Sequence, residues 1–224
     1  MIVISRNRGR RRAMLGRAIA GGSALATLFA LGSCAHLGVG FGDHQSRVST
    51  HFTSFGGPIR VAQAPRGAAL RAFGGDIEVG EAAGRVRITS YGGNVRVGPA
   101  SDDVRITSYG GSIVASIVED GSVSRQRIKL KSYGGNVTLR VPESISARID
   151  VRVSYGRDAE DDPHLESDFD LEREESPSFQ RSWPHLFKPV KTLTARGVLG
   201  DGAGRIDIRV EGGNVRLERA GASS

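Results

Sequence analysis

The chain has 224 residues, 31 basic and 24 acidic side chains, a formal charge of +7, one cysteine and 31 glycines. One cysteine excludes an intramolecular disulfide and a thiolate-rich zinc site. Residues 1–33 hold six arginines and no acid, so the remaining 25 bases and 24 acids almost cancel; a nucleic-acid binder keeps its basic field in the folded part.

Arg6, Arg8, Arg10, Arg11, Arg12 and Arg17 form a positive leader, followed by a mostly apolar run from Ala18 to Leu31. That run is shorter than the about 20 apolar residues of a spanning helix and suits a signal peptide. It ends in Leu31-Gly32-Ser33-Cys34, which resembles the lipobox of bacterial lipoproteins. The resemblance implies cleavage between Ser33 and Cys34, with diacylglycerylation of the Cys34 thiol and acylation of the new amine. Two or three acyl chains anchor stably where one does not. The competing reading is a chance cysteine beside an ordinary cleavage site. Ala35 in place of aspartate favours the outer membrane of a Gram-negative bacterium, by analogy with enterobacterial sorting. The reading is therefore a signal peptide over 1–33 and a tether over 34–47.

The rest of the chain repeats. An aromatic-Gly-Gly triplet starts at Phe55, Phe73, Tyr91, Tyr109 and Tyr133, at intervals of 18, 18, 18 and 24 residues. A degenerate copy stands at Tyr155-Gly156 and a last copy at Glu211-Gly212-Gly213. Alternating runs flank the triplets, and period-2 alternation marks strands with one buried and one wet face. Val86, Ile88, Val95, Val97, Val104, Ile106, Ile113, Ile128, Leu130, Val137 and Leu139 are expected inside. So are Ile149, Val151, Val153, Ile206, Ile208, Val215 and Leu217. Arg87, Arg96, Arg105, Lys129, Asn136, Arg152, Asp207 and Arg216 are expected outside.

Two short strands per repeat bury nothing alone; stacking successive coils, each strand beside its equivalent roughly 4.8 Å away, buries a continuous core. The fold expected is all-β: a single-domain parallel β-solenoid over 48–218, with six to seven short coils. A hairpin sandwich is the alternative, but it does not place like residues at a constant period. The glycine pairs fit sharp corners, with positive φ at one of them. Phe55, Phe73, Tyr91, Tyr109 and Tyr133 form a candidate aromatic ladder, read either as a structural cover for the corners or as a platform for sugar rings. A second outward column, Arg60, Glu78 and Arg96, pairs opposite charges across coils.

Repeated Gly-Gly-Asn-Val and Gly-Gly-Asp-Ile turns, with the closing run from Gly197 to Val215, resemble the bacterial DUF4097 family, labelled adhesins. The resemblance covers about residues 48–218. It implies a cell-envelope solenoid and offers no catalytic residues to carry over.

The long insertion, 156–196, departs from that pattern. Residues 157–176 carry ten acids against Arg157 and Arg173, and Trp183 and Phe187 follow. It reads as a solvated loop whose aromatics pin it to the stack or cap an open end. Asp161, Asp162, Trp183 and Phe187 make it a candidate partner loop; a calcium site is the weaker alternative, because EF-hand spacing is missing. Residues 219–224 read as a disordered tail.

No nucleophile elbow, phosphate loop or H-E-x-x-H appears. A polysaccharide-cleaving enzyme would need clustered carboxylates on one face, and Asp207 has no evident same-face partner. The expected function is a non-catalytic envelope lipoprotein that binds another macromolecule, with no cofactor, metal or small-molecule substrate. Its partners are the membrane through its lipid, and an envelope protein or an anionic glycan or lipid. A stress sensor acting through 157–190 is the second reading and a polysaccharide-processing β-helix the third.

Overall fold

The computed structural model describes residues 50–119, 125–156, 164–182 and 186–220, with backbone alone over 178–182 and 186–190. Among the described residues there is no helix. The strands in chain order are β1 (Thr50–Ser54), β2 (Ile59–Ala64), β3 (Ala68–Ala72), β4 (Ile77–Ala82), β5 (Val86–Ser90), β6 (Val95–Ala100), β7 (Val104–Ser108) and β8 (Ile113–Ile117). They continue as β9 (Arg127–Ser132), β10 (Val137–Pro142), β11 (Ala147–Gly156), β12 (Leu165–Ser167), β13 (Glu172–Ser182), β14 (Leu186–Leu199), β15 (Gly204–Glu211) and β16 (Val215–Ala220).

From β1 to β10 the chain alternates between two sheets. The nine-stranded sheet runs β1-β3-β5-β7-β9-β15-β11-β14-β13 and the seven-stranded sheet β12-β16-β10-β8-β6-β4-β2. One strand from each sheet makes a rung, and within each sheet the strands of successive rungs pair in parallel. Val95 is the register partner of both Ile77 and Ile113.

Alternation supplies the core. Every second side chain points between the sheets, and all eighteen residues expected inside are buried in one continuous cluster. Like residues fall into columns: Leu70, Ile88, Ile106, Leu130, Ile208 and Val151 are successive partners in the larger sheet. Burying each such side chain is worth about 1.5–3 kcal/mol relative to leaving it exposed.

The glycine pairs serve close approach more than backbone handedness. Of the pair glycines only Gly212 has positive φ, against the expectation for the corners. Instead, the second glycine of each inner corner sits directly on the corner of the preceding rung. A Cβ on Gly93 would lie 2.3 Å from the Gly75 carbonyl oxygen, and one on Gly111 2.3 Å from that of Gly93. The first glycine has room: a Cβ on Gly92 would meet nothing closer than 3.5 Å.

Chain order and stacking order part company at the C-terminus. β15 lies between β9 and β11, and β16 between β10 and β12, so the last copy is the sixth rung and β11–β12 the seventh. Tyr155-Gly156 is not a corner: β11 runs straight through it, and Tyr155 is buried with Lys191 Nζ 5.8 Å from its ring centre.

The insertion is not the loop expected. Between β12 and the return to β15 the chain makes an antiparallel pair, β13–β14, and β14 also pairs antiparallel with β11. Phe169, Leu171, Leu193 and Ala195 join the core there, and Leu171 packs where a Cβ on Gly197 would stand. Its acids meet the sixth rung: Glu166 pairs with Arg216, and Asp168 accepts from the Arg219 backbone N–H at 2.9 Å. The hydrogen bond that Arg216 donates to Glu166, reinforced by the carboxylate's charge, holds the Arg216 guanidinium above its usual pKa. β16 continues through Ala220, taking in the first two residues of the expected tail.

Gly93→Ala should cost about 3 kcal/mol, because two stacked backbones must separate. Gly92→Ala should cost under about 1 kcal/mol. Urea unfolding of both variants checks this, and equal losses would refute corner contact as the reason for the second glycine.

Candidate functional site

Three features bear on function: the aromatic column, the corners that hold it, and the outer face of the nine-stranded sheet. Each corner begins with the last inward position of an odd-numbered strand. Ser90, Ser108 and Ser132 are buried there, and each hydroxyl donates to the carbonyl of the second glycine at 2.7–2.8 Å. Ser54 does the same at 2.6 Å. After the glycines an Asx column continues the stack. Asp76 Oδ1 accepts from Asn94 N–H, Asn94 Oδ1 from Ser112 N–H, and Asn136 Oδ1 from Asn214 N–H, at 2.8–3.0 Å. A hydrogen bond of this kind contributes about 1 kcal/mol net.

Strands β1, β3, β5, β7 and β9 therefore end in the same geometry, and the next residue of each projects outward. Phe55, Phe73, Tyr91, Tyr109 and Tyr133 stack with ring centres 4.8–5.0 Å apart and planes within 8° of parallel. All five are exposed, Phe55 by 63% and Tyr133 by 40%. Each of the three interior rings has a neighbour against either face, so solvent meets mainly ring edges and tyrosine hydroxyls. This geometry favours the structural reading over a sugar platform, which needs a free flat face. The column ends at the sixth rung, where Glu211 follows Val210, the partner of Ser132.

The outer faces of the two sheets differ in charge pattern. On the seven-stranded sheet Arg60, Glu78 and Arg96 are successive partners, with Arg60–Glu78 at 3.2 Å; Arg140 and Glu218 pair at 2.8 Å. On the nine-stranded sheet Arg87, Arg105 and Lys129 are successive partners, and so are Arg127, Arg205 and Arg148. Arg87, Arg105, Lys129, Arg127 and Arg205 line an open groove of about 770 Å³, and Arg148 lies outside it.

Asp207 keeps its outward register in that face but is buried there, 8% exposed, where an exposed residue was expected. Arg209 lies over it with two hydrogen bonds, 3.1 and 3.3 Å. The expectation that it has no same-face carboxylate is also corrected, because Asp150 is its register partner on the seventh rung. Asp150 is in turn held by Arg152 at 3.3 Å. Two adjacent carboxylates each engaged by an arginine form a neutralised stitch, with neither set up as a general base.

Ser33, Cys34, Asp161, Asp162 and Trp183 lie outside the described residues. Phe187 stands in β14 opposite Arg181. Among the described residues no group of three or more His, Cys, Asp or Glu is placed to hold a metal. The corner serines and the Asx column were missed as functional positions, although Ser-aromatic-Gly-Gly-Asn/Asp is visible in the repeats. Asp150 beside Asp207 had no such signal, since the C-terminal copy enters the stack out of chain order.

Tyr109→Ala removes two ring contacts and should destabilise the chain by about 1–3 kcal/mol. Tyr109→Phe should be near neutral. Thermal unfolding checks the pair; a Phe variant as damaged as the Ala variant would show that the hydroxyl, not the stack, matters.

No family model, curated protein or solved structure matches the chain.

Proposed function

We propose that the chain is a non-catalytic, lipid-anchored protein of the cell envelope whose parallel β-solenoid serves as a scaffold or adhesin-like surface for another macromolecule. The solenoid reading is supported by the register: seven rungs, each stacked in parallel on its neighbour around one core. The single observation that carries the binding role is the outer face of the nine-stranded sheet. Two rows there each carry positive charge over three successive rungs, and the row through Lys129 gives way to Asp207 and Asp150 on the next two. Such a surface suits an extended partner better than a small substrate, which is gripped by a closed pocket. The anchor rests on the lipobox resemblance at Leu31–Cys34, and the family assignment on the DUF4097-like turns. The envelope location, at the outer membrane, follows from the anchor, and makes nucleic acid an unsuitable partner.

A sensor or accessory role acting through 157–190 is favoured by one observation. β13 is the edge strand of its sheet, and the acids of its first half, Glu172, Glu174 and Glu175, are exposed. A photoreactive residue at Glu174 that captures a membrane protein in intact cells would favour this reading. Capture at the outer face of β7 would favour the scaffold.

The anchor is tested directly. Mature protein from cells should begin at an acylated Cys34, and Cys34→Ala should leave the membrane fraction without acyl label. A mature chain that keeps residues 1–33 sinks the tether.

A further inference from the structure

The two outer faces come from one repeat with one spacing, yet they treat charge differently. Where the seven-stranded sheet places charge on successive rungs it alternates sign, as at Arg60, Glu78 and Arg96. The nine-stranded sheet stacks Arg87 on Arg105 on Lys129, and Arg127 on Arg205 on Arg148. Like charges directly opposite each other on neighbouring strands are destabilising. Two acids line the groove: Asp207, which follows Lys129 in register and ends that row, and Asp103, whose Oδ1 accepts from the Arg127 backbone N–H. Asp103 is held by Arg85 at 3.2 Å, and Asp207 by Arg209 at 3.1 Å. Among the described residues, no carboxylate lies within ion-pair distance of Arg87, Arg105, Arg127, Lys129 or Arg205.

We infer that this groove binds a linear anionic polysaccharide, laid along the stacking direction with successive acidic groups over successive rungs. The inference rests on the surface-binding reading above and names its ligand class. Three observations select the occupant. The cations form rows one rung apart, and a linked sugar advances its chain by a comparable distance. Most are arginines, whose planar fork matches carboxylate and phosphate oxygens two at a time. The groove lining presents no exposed large apolar side chain to insert into a bilayer. A regular polymer offers the counter-charge at the repeat the rows require; a lipid surface offers it without register.

The full chain in neutral detergent is titrated calorimetrically with polygalacturonate, with neutral dextran, and with micelles of the same detergent that contain phosphatidylglycerol. Polygalacturonate should bind, weaken steeply as salt rises, and bind about tenfold more weakly to the double variant Arg105→Gln/Lys129→Gln. Arg96→Gln, on the other face, should bind as the parent does. The double variant should melt no lower than the parent, because a like-charge contact has been relieved. No polygalacturonate binding, or binding indifferent to the double substitution, overturns the groove. Preference for the anionic micelles over polygalacturonate, lost in the double variant, overturns the ligand class and leaves the surface-binding reading standing. Loss of that broader reading requires that intact cells yield no partner on this face either.

Discussion

The structure depends on how closely one rung can sit on the next. Parallel strands one hydrogen bond apart fix the spacing at roughly 4.8 Å. The corners must keep the same spacing, although there the chain turns and side chains crowd. A Cβ on Gly93 would stand 2.3 Å from a backbone oxygen of the rung below. The glycine is thus a condition of stacking, and what surrounds it follows from the stack. The buried serine hydroxyl satisfies the corner carbonyl. The Asx side chain satisfies an N–H one rung along. The aromatic ring, at the same height in every rung, meets its counterpart at ring-stacking distance.

The order of the rungs has a consequence for folding. Only β10 separates β9 from β11 in the chain, but in their sheet β15, which is made after both, lies between them. The first five rungs can therefore zip in order, each with its partner already present. The last two cannot reach their final pairing until the C-terminal copy inserts. Long-range pairing of this kind slows folding, because loop closure precedes the contacts that reward it. In the finished molecule β11, β12, β13 and β14 cover the open side of the sixth rung, and the acids of the insertion tie to its arginines. That arrangement protects an edge that would otherwise template further pairing.

What the sequence disclosed follows from this physics. The period, the alternation and the aromatic-Gly-Gly triplet are local signals, and Val86 through Leu139 could be assigned inward from them alone. The aromatic column and the Arg60–Glu78 pair came from the same arithmetic. Non-local facts stayed hidden. Nothing near Ile206 says that its strand lies between Ile128 and Ile149, so the neighbour of Asp207 was misjudged. The charge of residues 157–176 suggested a solvated loop, because acids are counted before partners are known. The pairing of β14 with β11 and the burial of Leu193 depend on a surface that exists only once the stack is built.

A stacked repeat also turns every outward residue into a row. For rings this is favourable, since each ring gains two neighbours. For Asn and Asp it is favourable too, because the side chain reaches the next backbone N–H. For charge it is unfavourable by about 1 kcal/mol per contact at this spacing in water, less with salt. Alternating sign removes the cost, and the seven-stranded sheet does so with Arg60, Glu78 and Arg96. The nine-stranded sheet has the same means at hand and uses it only partly: Arg85 meets Asp103, while Arg105 meets Arg87 and Lys129. A row of one sign is a cost to the isolated chain that an external counter-charge of matching repeat would offset. The unequal treatment of two faces built from one repeat is what the proposed anionic partner would account for, since folding alone would have favoured alternation on both.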